Sequence, residues 1–313
     1  MKKRTERKIV IVTRETRIDG LKKRFTSVDQ LSFYVESRGG RIEDYLEEDL
    51  NYRTSLERLK ADLSSWGTLQ FVDRAFLPNY VFGPEDTVVA IGQDGLVANT
   101  LKYLREGQPL VGVNPDPDRW DGVLLPFHVD DLDEVLPEVL GGTYRSENVS
   151  MAEARLNDGQ SMFAVNDIFI GQRTHASARY VIEVGERKER HSSSGVIVST
   201  GLGSTGWLKS IIHGASSIVT DSGGGEVPPR DLVLPWDTRE FYFSVREPFP
   251  SRHTQCELVF GSITPGKPLR IRSLMAENGV LFSDGVESDF LEFNSGSEAE
   301  ITISKIKGNV VVR

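Results

Sequence analysis

Residues 88–96 read Val-Val-Ala-Ile-Gly-Gln-Asp-Gly-Leu, an apolar run that passes through a glycine-flanked aspartate into a helix-forming segment. A turn of this kind leaves backbone N–H groups unpaired at the start of a helix, where a phosphate can sit. Gly92 and Gly95 would let that phosphate approach the backbone, and Asp94 places an acid or base beside it. The plainer reading stays open, because glycine and aspartate also make ordinary turns.

Two further segments set small or polar residues at the end of an apolar run. In 164–170, Ala-Val-Asn-Asp-Ile-Phe-Ile, the pair Asn166-Asp167 interrupts the run. Within a strand these side chains point to opposite faces, so one of them is buried and needs partners unless the strand ends there. An amide and a carboxylate together can read the edge of a base or a ribose; a strand end with a turn cap is the alternative. The third segment, 199–207, reads Ser-Thr-Gly-Leu-Gly-Ser-Thr-Gly-Trp. Its glycines free the backbone, Ser204 and Thr205 offer hydroxyls, and Trp207 offers a flat stacking face. A flexible connector has a similar composition.

Other chemistries find little support. His128, His175, His191, His213 and His253 are scattered, with no pair at helical ligand spacing, and each reads as a surface or capping residue. There is no Gly-x-Ser-x-Gly elbow, no Gly-x-x-x-x-Gly-Lys-Ser/Thr loop, and no Gly-x-Gly-x-x-Gly behind the first strand. Cys256 is the single cysteine, which excludes an internal disulfide and a cysteine-rich zinc site, and its setting reads as a packed strand residue.

The elements that must carry these segments change character along the chain. Residues 8–13 read as a buried strand, followed by a helix near 28–37 and another announced by the capping box Thr54 and Glu57, with Leu56, Leu59 and Leu63 on one face. Strands at 69–72, 87–91 and 110–114, with a helix at 96–105, continue an alternation that implies a parallel sheet. An amphipathic acidic helix is expected over 129–140. Beyond it come short β-branched runs at 162–170, 180–184, 195–199, 241–245, 269–271, 280–282 and 299–303, with an apolar helix-like run at 208–212. The glycine and proline stretch 220–229 reads as a loop or hinge.

A chain of 313 residues with a net charge of -9 is large enough for two domains, and its average field does not attract nucleic acid or an anionic membrane. The basic start (Lys2, Lys3, Arg4, Arg7, Lys8, Arg14, Arg17, Lys22, Lys23, Arg24) reads as a solvated strand edge and loop, or as a source of phosphate contacts through Arg14 and Arg17. The first apolar run is too short for a signal peptide core, and none has the length of a membrane span; a cytoplasmic protein is expected.

Taken in order, the three segments resemble the NAD kinase family. The family pattern is Gly-Gly-Asp-Gly-Thr, then Asn-Glu, then Thr-Gly-Ser-Thr and an aromatic residue; this chain has Gly92 to Leu96, Asn166-Asp167, and Gly201 to Trp207. Val196 to Thr200 is similar to the strand leading into the last loop, Val245-Arg246-Glu247-Pro248 looks like the mitochondrial branch, and Ser283-Asp284-Gly285 resembles the late Asp-Gly. The chain departs from the pattern at Gln93 (glycine), Leu96 (threonine), Asp167 (glutamate) and Trp207 (tyrosine).

The resemblance implies an α/β N-terminal domain with a Rossmann-like parallel sheet over 1–125 and a β-rich C-terminal domain over 126–313. The last residues would pack back on the first domain, and the site would lie in a cleft between the two. It implies transfer of the terminal phosphate of ATP to the 2′-hydroxyl of the adenosine ribose of NAD, with Mg²⁺ or another divalent cation and no dedicated metal ligands. Asp94 would be the base or metal-organising carboxylate. Gly92, Gln93 and Gly95 would hold phosphates, and Asn166 and Asp167 would contact the dinucleotide. Ser204, Thr205 and Trp207 would line its adenine or nicotinamide end, with Asp284 at a ribose or ring edge. Partners would be small-molecule nucleotides, with neither nucleic acid nor membrane, in a homodimer or larger homo-oligomer. Two other readings remain: a lipid or sugar kinase sharing the turn, and an NAD(P)-binding sensor without turnover, prompted by Gln93 and Leu96.

Overall fold

A computed structural model describes residues 6–105, 107–228 and 231–313. Lys2, Lys3 and Arg4 of the basic start, and Pro229 of the glycine and proline stretch, lie outside them. The chain divides into two compact units, Met1–Glu147 with Asn309–Arg313, and Asn148–Gly308.

The first unit contains β1 (Lys8–Thr13), α1 (Arg17–Lys22), α2 (Val28–Glu36), α3 (Ile42–Leu63), β2 (Thr68–Asp73), β3 (Thr87–Ile91), α4 (Asp94–Leu101), β4 (Pro109–Val113) and α5 (Leu132–Gly141). The strands pair in parallel in the order β2-β1-β3-β4, and Asn309 and Val310 extend the sheet beside β4. β3 is buried at every residue, as a central strand covered on both faces must be. Because the chain goes from β1 to one side for β2 and to the other for β3, the order reverses between β1 and β3. The carboxyl ends at such a switch point form the crevice where open α/β sheets take their ligands. Arg14 and Gly92 stand at those two ends.

Two expectations change in this unit. The helix announced by Thr54 and Glu57 starts at Ile42 instead, and Arg41 caps it without a side-chain bond. Tyr52, Leu59 and Leu63 pack against Ile9, Ile11 and Val89, and that burial carries the helix through a local cap signal. The boundary expected at 125/126 lies later, because Phe127, Val129, Leu132, Leu136 and Val139 share the core of Ile9 and Val89.

The second unit holds most of β5 (Ser146–Leu156), then β6 (Ser161–Ala164), β7 (Asp167–Gln172), β8 (Ala178–Val184), β9 (Arg187–Ser193), β10 (Val196–Ser199), α6 (Trp207–Asp221), β11 (Phe241–Val245), β12 (Phe260–Ile263), β13 (Leu269–Ser273), β14 (Gly279–Ser283), β15 (Phe290–Glu292) and most of β16 (Glu298–Val311). One antiparallel sheet has the order β12-β11-β10-β7-β14-β15; the other runs β16-β13-β8-β9, with β5 on β16 and β6 on β5. Ile168, Ile170, Val198, Phe243 and Leu281 of the first sheet meet Tyr180, Ile182, Leu269 and Ile301 of the second in one core. The other face of the six-stranded sheet packs Phe169, Ile197 and Val280 against Trp207 and Ile211 of α6.

The single strand expected over 162–170 is two strands, β6 and β7, broken at Val165-Asn166. β9 carries no apolar alternation because its inward residues are polar. Glu189 and His191 bond each other at 3.0 Å, and Glu189 also accepts from Glu257 N and Leu258 N. His191 is therefore a buried structural residue rather than a surface one. Among the described residues no helix is long and apolar enough to cross a membrane.

Candidate active site

β3 ends at Ile91, and Gly92 N donates to Val113 O of β4 at 3.1 Å, which fixes the start of the turn. Gln93 caps α4 with φ -123° and ψ 163°, extended backbone that any residue adopts. The concern that Gln93 displaces a glycine of special conformation thus has no basis in the backbone. Gly92 is constrained by space: a Cβ there would lie 2.9 Å from Leu96 Cδ2 and 3.4 Å from Arg14 Nε. Gly95 is exposed, with nothing within 4 Å of a Cβ.

Asp94, half-buried in the first turn of α4, accepts from Leu124 N at 2.7 Å and from Val123 N at 3.3 Å, one bond to each oxygen. Leu124 is itself pressed on β4, since a Cβ on Gly112 would fall 2.0 Å from Leu124 O. The carboxylate therefore straps segment 122–125 to the helix start, a place that favours negative charge, and it is oriented before any ligand arrives. The two arginines read as phosphate contacts converge on buried Glu48. Arg14 Nη2 lies 2.9 Å from Oε1, Arg17 Nε bonds Oε2, and Arg17 also lies over the Tyr45 ring at 4.0 Å. Much of their charge is answered inside the protein.

In the second unit, Asp284 holds a positive φ of 55° after β14. Its Oδ1 accepts from three successive main-chain groups: Val165 N at 3.1 Å, Asn166 N at 2.7 Å and Asp167 N at 3.2 Å. Instead of standing clear for a ribose, Asp284 positions the backbone of Asn166-Asp167. Among the described residues the half-buried side-chain amide of Asn166 makes no hydrogen bond.

Asp167 opens β7 opposite Ser199 of β10. Neither Asp167 Oδ1 nor Ser199 Oγ, both buried, completes a hydrogen bond. Burial pushes the Asp167 carboxyl up to about 7; the Ser199 hydroxyl opposes the rise, and the charge of Asp284 adds to it. The raised value means that the folded chain keeps a proton that the unfolded chain, with an ordinary 3.8, has released, so stability falls as pH rises between about 4 and 7. Asp167→Asn is expected to flatten that fall, leaving the variant the more stable form above pH 7. Urea midpoints across this range check it, and parallel pH profiles for variant and wild type would contradict it.

The loop after β10 is one tight turn, Leu202–Thr205, with a packed glycine before it and another within it: a Cβ on Gly201 would lie 2.1 Å from Pro235 O, and one on Gly203 2.1 Å from Asn166 O. Gly201, Gly203 and Gly206 have Gly-x-Gly-x-x-Gly spacing between a strand and a helix, a signal missed by looking only behind the first strand. Buried Ser204 donates to Gly201 O at 2.7 Å and accepts from Leu234 N at 3.0 Å, so its hydroxyl is occupied within the protein rather than lining a ligand. Thr205 is exposed, with one long bond of 3.4 Å to Leu202 O. Trp207 stacks on Phe169 with ring centres 6.0 Å apart, and the Arg246 guanidinium lies 5.4 Å from its ring centre. They border a cavity of about 180 Å³ with Arg173, Phe282 and Phe290, which the sequence did not flag because they come from separate strands.

A glycine-aspartate turn at the switch point of a parallel sheet, followed by an antiparallel β unit with Asn166-Asp167 beside a glycine-rich loop, defines a two-unit class of α/β plus β architecture. No family model matches the chain. An NAD kinase of Heliobacterium modesticaldum is 31% identical over 199 residues, 59% of this chain and 66% of that protein. The human protein named NAD kinase 2, mitochondrial, is 24% identical over 95% of this chain and 82% of its own length. The solved NAD kinase of Archaeoglobus fulgidus in complex with ATP covers 98% of this chain and 93% of its own, with a TM-score of 0.53 at 15% identity, a likeness of fold. The chain spans just under two thirds of the length of the first curated relatives it matches. The family these relatives and this fold support for the chain is that of the NAD kinases.

Proposed function

We propose that this chain phosphorylates NAD, passing the terminal phosphate of ATP to the 2′-hydroxyl of the adenosine ribose to form NADP. The observation that carries the reading is the Gly92–Gly95 turn at the switch point, with the Asp94 carboxylate held at the start of α4 by two main-chain donors. Phosphoryl transfer asks the protein for alignment, for answering phosphate charge and for accepting one hydroxyl proton. In this reading Asp94 serves the last need and the turn serves the first two. The amide of Asn166, the Thr205 hydroxyl and the Trp207 face hold the dinucleotide. The names of the relatives support the acceptor, and the ATP complex of the structural neighbour supports the donor.

ATP enters as its divalent cation complex, taken as Mg²⁺. Among the described residues no three His, Cys, Asp or Glu side chains gather to hold a metal ion. Mg²⁺ is ordinarily carried by substrate phosphates with one or two carboxylates, which Asp94 fits. We further assign a homo-oligomer acting in the cytoplasm. Of the residues of α6 only Leu208 is buried, Ile218 stays 70% exposed, and lone Cys256 asks for no oxidising compartment.

A coupled assay with NAD, ATP and Mg²⁺ tests the activity; a chain that binds both nucleotides and forms no NADP with any phosphoryl donor would overturn it. The sensor reading loses its main ground with the extended backbone of Gln93. Gln93→Gly is expected to change the rate by less than about fivefold, the equivalent of about 1 kcal/mol, and a larger gain would show that the Gln93 side chain limits catalysis.

A further inference from the structure

Arg14 sits at the carboxyl end of β1 with a side chain only 10% exposed and each part of its guanidinium held in place. Nη2 pairs with Glu48 at 2.9 Å, Nη1 donates to Glu15 O at 3.0 Å, and the group lies over the Tyr52 ring at 5.0 Å. Nε alone is a buried donor without an acceptor. It stands beside Gly92, 3.4 Å from where a Cβ there would lie, a position that Leu96 Cδ2 closes at 2.9 Å. Gly92 lies at the β1/β3 switch point just before the first turn of α4, where backbone donors and the helix dipole favour an anion. The nearest atom, Leu96 Cδ2, is the far end of a flexible side chain, so an oxygen beside Nε requires Leu96 to turn. Arg14, Arg17 and Glu48 together sum to a single positive charge, and the cluster stays cationic with Glu48 counted in.

We propose that Arg14 is a phosphate-binding residue of the Gly92 turn, its Nε–H donating to a phosphate oxygen of a nucleoside triphosphate, and that Glu48 is the residue that positions it. The proposal rests on the phosphoryl-transfer reading for the identity of the ligand, though not for the presence of an anion site. A buried N–H without an acceptor is costly, and a phosphate oxygen supplies the acceptor with charge assistance. Glu48, clamped between two guanidiniums, keeps the fork turned so that Nε, not Nη2, meets the crevice.

The test is calorimetric titration of inorganic tripolyphosphate, and of ATP with Mg²⁺, into the full chain. Arg14→Lys keeps a positive charge opposite Glu48 and removes the Nε–H. It is expected to bind both ligands about tenfold more weakly or worse, with NAD affinity unchanged and the assay run below the variant's own melting temperature. Glu48→Gln is expected to raise the KM for ATP and leave kcat alone, a split that a merely structural role would not produce. Should Arg14→Lys fail to fold by circular dichroism, the double variant Arg14→Gln with Glu48→Gln removes both charges together and carries the same expected loss. Equal triphosphate affinity in wild type and variant overturns the proposal and leaves the kinase reading standing. Loss of binding in the variant, in a wild type that makes no NADP, upholds the anion site and sinks the kinase reading. A wild type that binds no triphosphate overturns both.

Discussion

Asp94→Asn is expected to lower NADP formation by about 10²–10⁴-fold, the usual effect of removing a positioned proton acceptor. The loss should fall on kcat, because the backbone donors and glycines of the turn are untouched. The variant also pays a structural cost that must be measured separately. An asparagine can offer only its oxygen to Leu124 N, and its amide group then faces Val123 N, donor against donor. That leaves one main-chain N–H poorly matched, for about 1–3 kcal/mol of stability. Turnover is therefore to be assayed well below the melting point of the variant, with the melt recorded alongside. Retention of more than about a tenth of the wild-type kcat would mean that Asp94 is a strap for segment 122–125 and that another group takes the proton.

Gly203→Ala is expected to be the most damaging small substitution in the second unit. The added Cβ would stand 2.1 Å from Asn166 O, 2.7 Å from Asn166 C and 2.9 Å from Asp167 Oδ1. Those atoms cannot retreat cheaply. Asn166 O accepts from Thr200 N at 2.9 Å, and the main chain of Asn166-Asp167 is fastened by Asp284. Overpacking against fixed backbone costs about 3 kcal/mol or more, which corresponds to a fall of roughly 6–12 °C in melting temperature for units of this size. NAD affinity should fall with it, since the displaced residues are those proposed to hold the dinucleotide. Gly95→Ala serves as the control for stability, because nothing lies within 4 Å of its Cβ. A Gly203→Ala protein that melts within about 2 °C of wild type would show that the loop yields where the packing says it cannot.

Legibility followed the strength of the local signal. β3, the Gly92 turn, β11 and the acidic helix α5 were readable because burial on both faces, glycine spacing or a clean amphipathic period leaves its mark on consecutive residues. β9 was not, because its inward face is built from polar Glu189, His191 and Ser193: Glu189 and His191 bond each other, Ser193 bonds Gly195 O, and Glu189 also takes the main chain of Glu257 and Leu258 from a distant loop. The start of α3 was misplaced because Thr54 and Glu57 form a sound cap signal that tertiary burial overrides.

By itself the sequence determined that a carboxylate would follow a buried strand at a glycine turn, that an Asn-Asp pair and a glycine-hydroxyl loop would follow in a β-rich part, and that no disulfide would be involved. These are properties of neighbouring residues, and local chemistry is enough to specify them. Only the tertiary structure decided what each group is free to do. It bound Asp284 to three main-chain donors, closed Ser204 inside its loop and set Glu48 between Arg14 and Arg17. The physical reason is that a hydrogen bond or an ion pair consumes capacity at both ends, and the far ends of these lie from 3 to 119 residues away in the chain.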